Sequence, residues 1–367
     1  MSVTEKIYFE KNLTINTRVD NLEKIVTPHE LITKFPLKPE NNKLIYQYRN
    51  EISNILKGLD DRLLVVVGPC SIHDIISATE YANFLSTMIH KYKDTLRIVM
   101  RVYFEKPRTT VGWKGLIYDP DLDGSSNINK GLNLARQFLL KLNEMGIPAG
   151  CEFLDTITPQ YISDLVSWAA IGARTTESQI HRQLASGSSM PIGFKNGTGG
   201  SMKLATDAII CANNPHCFLG TTKEGEVAIV RTLGNPNCHI ILRGGNNGPN
   251  YEKEHILKCE ELLHKSKIPV KIMVDCSHGN SRKIHTNQPL VIDNIISQIQ
   301  EQNKSIIGVM IESNLKEGKQ SLTASQNLEY GKSITDACIN WTTTSEVLQK
   351  LSDVVSEKRQ QESEMYN

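Results

Sequence analysis

LLVVVG, Leu63–Gly68, is the stretch on which the fold turns. Its apolar run is unbroken and includes three consecutive valines. A strand with one wet face alternates apolar with polar residues, so this composition fits a strand covered on both faces. The residues that follow carry Tyr81, Phe84, Leu85 and Met88 at helical spacing, so the strand comes with a covering helix. Working outward, the same couple of apolar run and helical segment recurs at RIVMRVYF (Arg97–Phe104), PAGCEFL (Pro148–Leu154), WAAIGA (Trp168–Ala173), PIGFKNG (Pro191–Gly197), HIILRGG (His239–Gly245), KIMVDCSHG (Lys271–Gly279) and SIIGVMIES (Ser305–Ser313). WAAIGA is the weakest, because Ala and Gly are poor strand formers. Eight such units predict an α/β fold, a (β/α)8 TIM barrel over residues 63–351.

Three segments stand outside that count. Residues 1–62 read as a polar, mostly helical N-terminal extension. Between the fifth and sixth units, CFLGTT and EVAIVRT alternate as an inserted β-hairpin over residues 216–233, turning near Lys223, Glu224 and Gly225. Residues 352–367 read as a polar C-terminal tail that frays.

Hydrophobic residues make up 39% of the chain and charged residues 22%, the balance of a globular protein with a sizeable core. Lys and Arg number 41 against 40 Asp and Glu, so there is no general pull toward nucleic acid or an anionic membrane, and anion binding must come from a local cluster. The start, MSVTEKIYFEKNLTINTRV, has the pattern of neither a signal nor a transit peptide, and no apolar run approaches the ~20 residues that span a bilayer. The eight cysteines are scattered, with no CxxC pair, and are expected to be mainly buried thiols in a reducing cytoplasm.

The functional signal is positional. Cys70 follows the first strand; Arg101 lies in the second, with Lys106 and Arg108 beyond it; Glu152 ends the third; Arg174 follows the fourth; Lys195 ends the fifth; Arg243 ends the sixth; His278 follows the seventh; and Glu312 ends the eighth. In a closed barrel these ends converge on one face, where active sites are built. A single Arg or Lys is usually a solvated surface charge, but Arg101, Lys106, Arg174, Lys195 and Arg243 together predict a pocket for a ligand carrying carboxylate and phosphate. Cys70 alone reads as a buried apolar thiol; with His278, Glu312 and Asp336 it becomes a mixed sulfur, nitrogen and oxygen set for one divalent metal ion, without choosing among Mn, Fe, Co and Zn. Asp336 has a rival reading as the N-cap of the last helix. Such an ion would polarise a carbonyl oxygen. The KNGTGG stretch, Lys195–Gly200, lacks the spacing of a P-loop or dinucleotide fingerprint and reads equally as a turn.

GPCSIHD (Gly68–Asp74), EKPRTTVGWKGLIYDP (Glu105–Pro120), GARTTESQIHR (Gly172–Arg182), GFKNGT (Gly193–Thr198), ILRGG, DCSHGNS (Asp275–Ser281) and IES, in this order, make the chain resemble the microbial type I 3-deoxy-D-arabino-heptulosonate 7-phosphate (DAHP) synthases. The resemblance implies metal-dependent condensation of phosphoenolpyruvate with erythrose 4-phosphate, the first step toward chorismate and the aromatic amino acids. It implies Cys70, His278, Glu312 and Asp336 as metal ligands, with Asp336 also beside the substrate. It further implies Arg101, Lys106, Arg174, Lys195 and Arg243 on phosphoenolpyruvate, Arg108 and Thr109 on the aldose phosphate, and Glu152 near the reacting centre. Cys70, Lys106, Glu152 and His278 form the catalytic group, with Lys106 and Glu152 the candidates for activating water.

The extension and hairpin resemble the family's regulatory apparatus for an aromatic amino acid, with Gln160, Ser189, Phe218 and Gly220 lining the effector site. The small Gly220 favours tyrosine over phenylalanine by leaving room for a phenolic hydroxyl. A homodimer or homotetramer is implied. GTGG at Gly197–Gly200 departs from the family where relatives often carry Asp, which touches no catalytic assignment. The rival readings are a synthase for another aldose phosphate, against which KPRTT argues, and a barrel that senses phosphorylated metabolites without catalysis.

Overall fold

A computed structural model describes residues 13–322 and 327–365. Helices α1 (Pro28–Lys34) and α2 (Pro39–Lys57) precede the first strand. Strands β1 (Leu63–Gly68), β2 (Leu96–Arg101), β3 (Ala149–Glu152), β4 (Trp168–Ile171) and β5 (Ile192–Lys195) are joined through α3 (Ile75–Lys91), α4 (Ile128–Glu144), α5 (Thr158–Ile162) and α6 (Gln179–Ser186). After α7 (Met202–Ala212) come the short strands β6 (Cys217–Thr221) and β7 (Val227–Arg231). Then follow β8 (Cys238–Leu242), α8 (Lys253–Lys265), β9 (Ile272–Asp275), α9 (Gln288–Gln300), β10 (Ile306–Glu312) and α10 (Trp341–Met365).

Eight parallel strands close in the order β1, β10, β9, β8, β5, β4, β3, β2, with β1 pairing both β10 and β2. The α/β (β/α)8 barrel expected from the sequence is present, and β6 and β7 form a separate antiparallel pair between its fifth and sixth strands. Every residue of β1 and β2 is buried, which is why LLVVVG shows no alternation. Val65, Val67, Ile98 and Met100 belong to the larger core cluster, together with residues of the surrounding helices, while Leu64, Val66 and Val99 belong to a second cluster with Tyr103, Trp168, Ile241, Met273 and Met310.

That second cluster explains the weak fourth run. Trp168 is fully buried, and a β-carbon at Gly193 would stand 2.8 Å from its indole. Position 193 beside this ring thus has no room for a side chain, and the alanines of β4 are strand through burial against the core clusters, not through propensity.

Two expectations about the ends of the chain need correction. Ile52, Ile55 and Leu56 of α2 share the cluster of Leu64 and Val66, so this part of the extension is barrel core; residues 1–12 lie outside the described residues. The tail expected to fray is helix: α10 continues to Met365, with Ser352, Val354 and Val355 buried and Arg359 paired to Asp61 at 2.6 Å. Val347, Leu348, Leu351, Val354 and Val355 make one continuous helical stripe, which the polar composition after Leu351 disguises.

Candidate active site

The loop after β1 turns directly into α3, whose first turn is capped by the Asp74 carboxylate accepting from Ile76 N and Ser77 N at 2.9 and 3.2 Å. This fixes Cys70 at the barrel mouth with no exposure. Its Sγ faces Asp336 Oδ2 at 3.8 Å and accepts from the Lys106 ammonium at 3.2 Å. One ligand atom each from Cys70, Glu312 and Asp336 lies within 4.8 Å of the others. Asp336 does not cap the last helix, as its rival reading had it. Helix α10 begins at Trp341, and Asn340 Oδ1 accepts from Thr343 N at 2.9 Å.

His278 stands at the edge of this cluster, outside the tight trio. Its Nε2 is 3.5 Å from Glu312 Oε1, and its backbone is left-handed at φ 52°, an unusual conformation for a residue with a β-carbon. Glu312 is fully buried. Ser277 Oγ donates to its Oε2 at 2.8 Å, and Gln288 bonds both backbone groups of residue 312. Oε1 has no aligned hydrogen bond among the described residues, although Arg101 Nη2 is 3.0 Å away. Burial opposes ionisation of Glu312, but His278 and Arg101 hold its carboxyl below the ordinary value; Asp336 is likewise held down, against burial, by Lys106 and His278. Burial pushes the Cys70 thiol up to about 11, with Glu312 adding to the effect. A thiol, an orphaned buried carboxylate oxygen, a second carboxylate and a nearby imidazole are a donor set that fits a divalent transition ion, which would replace the thiol proton.

A cavity of about 480 Å³ lies over this cluster and is lined by Arg101, Lys106, Arg108, Thr109, Glu152, Arg174, Lys195, Arg243, His278 and Asp336. The sequence-predicted substrate residues thus share one chamber. Arg101 is 1% exposed, lies over the Tyr103 ring at 3.6 Å, and donates to the carbonyls of Pro69 and Cys70. Arg174 is exposed, and its Nε donates to Thr109 Oγ1 at 3.1 Å. Arg243 stands one residue past β8, its N–H donating to Asn196 Oδ1 at 2.8 Å. Glu152 is buried, and a β-carbon at Gly172 would meet its Oε1 at 2.1 Å, so the glycine of GARTT makes room for this carboxylate.

Asp275 opens DCSHGNS, yet nothing in the sequence marks it as part of the site. It is fully buried, and its Oδ2 is 2.9 Å from both Lys195 Nζ and His278 Nδ1. Burial opposes its charge, yet His278 and Lys195 keep the carboxyl well below the usual range. The two groups are close but poorly aligned for a strong hydrogen bond. Tyr103 and Ser277, also unforeseen, brace Arg101 and Glu312.

The expected effector residues lie elsewhere. Gln160 on α5 donates to Thr221 O of the hairpin at 3.0 Å, and Lys223 donates back to Gln160 O. Phe218 and Gly220 are on the half-buried face of β6, where a β-carbon at 220 would come within 2.7 Å of a Val230 methyl; Ser189 is exposed after α6.

The family model described as DAHP synthetase I matches residues 34–349. A phospho-2-dehydro-3-deoxyheptonate aldolase of Escherichia coli K12, described as Phe-sensitive, is 54% identical over 342 residues, covering 93% of this chain and 97% of that protein. A Tyr-sensitive counterpart from Salmonella typhimurium is 50% identical, covering 93% and 96%. The structure of the aldolase from Francisella tularensis superposes with a TM-score of 0.91 at 50% identity, covering 93% of this chain and 99% of its own.

Proposed function

The chain belongs to the DAHP synthetase I family, and from that membership we propose how its own residues divide the work. The activity is that of a 3-deoxy-7-phosphoheptulonate synthase, a transferase that condenses phosphoenolpyruvate, D-erythrose 4-phosphate and water to DAHP and phosphate. This is the first step of the shikimate pathway, feedback-inhibited by an aromatic amino acid. The observation that carries the residue assignments is the chamber of cations lying directly over the thiol and carboxylate cluster.

Cys70, Glu312 and Asp336, with His278 beside them, would hold one divalent ion, whose chemistry when bound is Lewis-acid polarisation of the aldehyde. Arg101, Lys106, Lys195, Arg174 and Arg243 hold the carboxylate and phosphate of phosphoenolpyruvate, presenting its C3 to the aldehyde carbon. Arg108 and Thr109 hold the aldose phosphate, and the bond between Arg174 and Thr109 ties the two subsites together. C3 attacks, water adds at C2, and phosphate leaves. Glu152 and Lys106 are the groups placed to move the protons of that water. Confinement supplies proximity, and the fixed cations stabilise the rearranging anions.

We assign the aromatic effector to the junction of α5 and the hairpin, where Gln160 and Thr221 meet, and Gly220 favours tyrosine. Nearby Val230 limits what a larger residue there could do. The exposed face of the hairpin, with Leu219, Val227 and Ile229, supports a homodimer or homotetramer. All eight cysteines are free, which supports a reducing cytoplasmic location, and no described helix is long and apolar enough to cross a membrane.

The test is phosphate release from phosphoenolpyruvate by metal-reconstituted protein, with four- and five-carbon aldose phosphates compared and each aromatic amino acid added in turn. Release with the four-carbon sugar, lost in Cys70→Ala while the circular dichroism is unchanged, is expected. Full activity in Cys70→Ala would remove the thiol from the metal set. Inhibition by phenylalanine but not tyrosine would reverse the effector assignment.

A further inference from the structure

Asp275 touches both halves of the site with a single atom. It ends β9 and is fully buried, and its Oδ2 is 2.9 Å from Lys195 Nζ on β5 and 2.9 Å from His278 Nδ1. The other oxygen accepts from Ser277 N at 3.0 Å, and Asn280 Nδ2 donates to Asp275 O at 2.8 Å and Leu242 O at 3.0 Å, pinning the turn between them. The carboxylate therefore cannot swing to serve one partner at a time.

We propose that Asp275 is a positioning residue that makes the divalent ion and phosphoenolpyruvate bind cooperatively, through the one oxygen shared by His278 and Lys195. The inference rests on the assignment of His278 to the ion and Lys195 to phosphoenolpyruvate. A carboxylate beside Nδ1 selects the tautomer with its proton there, which leaves the Nε2 lone pair toward Glu312 Oε1, 3.5 Å away. The opposite tautomer would set a lone pair against the carboxylate. When an anionic ligand engages the Lys195 ammonium, less of that positive charge neutralises Asp275. More of the carboxylate's charge then falls on the imidazole, and Nε2 becomes a stronger donor to a cation. Linkage requires the reverse effect of equal size: a bound cation tightens phosphoenolpyruvate.

The experiment uses the full chain, with manganese as the probe ion and free manganese read by electron paramagnetic resonance, titrated with and without saturating phosphoenolpyruvate. In the wild type, phosphoenolpyruvate should tighten manganese about fivefold or more. Asp275→Asn should weaken manganese about ten- to a hundredfold and abolish that tightening, a signature that loss of stability alone does not give. If Asp275→Asn does not fold, Lys195→Met reads the same linkage from the other end, at phosphoenolpyruvate concentrations that the variant's own binding curve shows to be saturating: manganese still binds, but bound phosphoenolpyruvate no longer tightens it. No tightening in the wild type, or undiminished tightening in either variant, overturns the proposal. If Cys70→Ala has meanwhile lost manganese, the metal site itself still stands; if Cys70→Ala binds like the wild type, both fall.

Discussion

At the scale of single residues, the site works because groups that repel or desolvate one another are held together by the barrel mouth. Arg101 and Lys106 are almost wholly buried beside a thiol and two carboxylates, an arrangement tolerable only because Arg101 pairs with Glu312 and Lys106 donates to Cys70 within the field of Glu312 and Asp336. Arg174 differs from them in being exposed, so its contribution appears only when a ligand excludes water. A charge-assisted contact is worth about 1.5–3 kcal/mol, and the lower end suits an exposed cation, so Arg174→Ala should raise the KM for phosphoenolpyruvate about tenfold. Steady-state kinetics showing an unchanged KM would remove Arg174 from the ligand set. Charged candidates were legible from sequence because they sit at strand ends, positions that can be counted. Asp275 was not, since a carboxylate that holds other residues in place carries no signal of its own until its partners on β5 and after β9 are seen.

At the scale of elements, two departures from expectation share a cause: tertiary burial overrides local composition. Strand β4 forms from Ala and Ile around a fully buried Trp168, although its propensity is poor. Helix α10 runs on through Ser, Asp, Glu and Lys because Val354 and Val355 keep its apolar stripe against the barrel. Each such valine contributes about 1.5–3 kcal/mol when fully buried. Deleting residues 352–367 should therefore lower the urea midpoint measurably, while activity at low temperature is retained. A midpoint equal to that of the full chain would restore the picture of a loose tail.

At the scale of the whole molecule, the barrel interior stores a pH dependence away from the chemistry. His239 is buried inside the barrel, its Nε2 accepting from Trp168 Nε1 at 3.0 Å and its Nδ1 set toward Ile240 O at 3.2 Å, the arrangement of a neutral ring. Burial pushes its pKa down to about 4. Between that value and the ordinary 6.5 or so, the unfolded chain takes up a proton that the folded chain refuses, so stability is full above about pH 6.5 and falls as the pH drops toward 4. The loss across that window is about 3 kcal/mol, at roughly 1.4 kcal/mol per unit. Urea midpoints at pH 7.5 and 5 should separate more for the wild type than for His239→Gln, and equal separations would exclude the histidine. The eight-unit count and the reactive residue types at strand ends were determined by sequence alone, because parallel strands buried on both faces must be apolar throughout and their ends must be polar. Which of those ends meet closely enough to act together emerged with the closed barrel. It drew Asp336 to Cys70 rather than to a helix cap, made α2 part of the core, and joined Lys195 to His278 through Asp275, because closing a barrel sets distances between strands that are far apart in the chain.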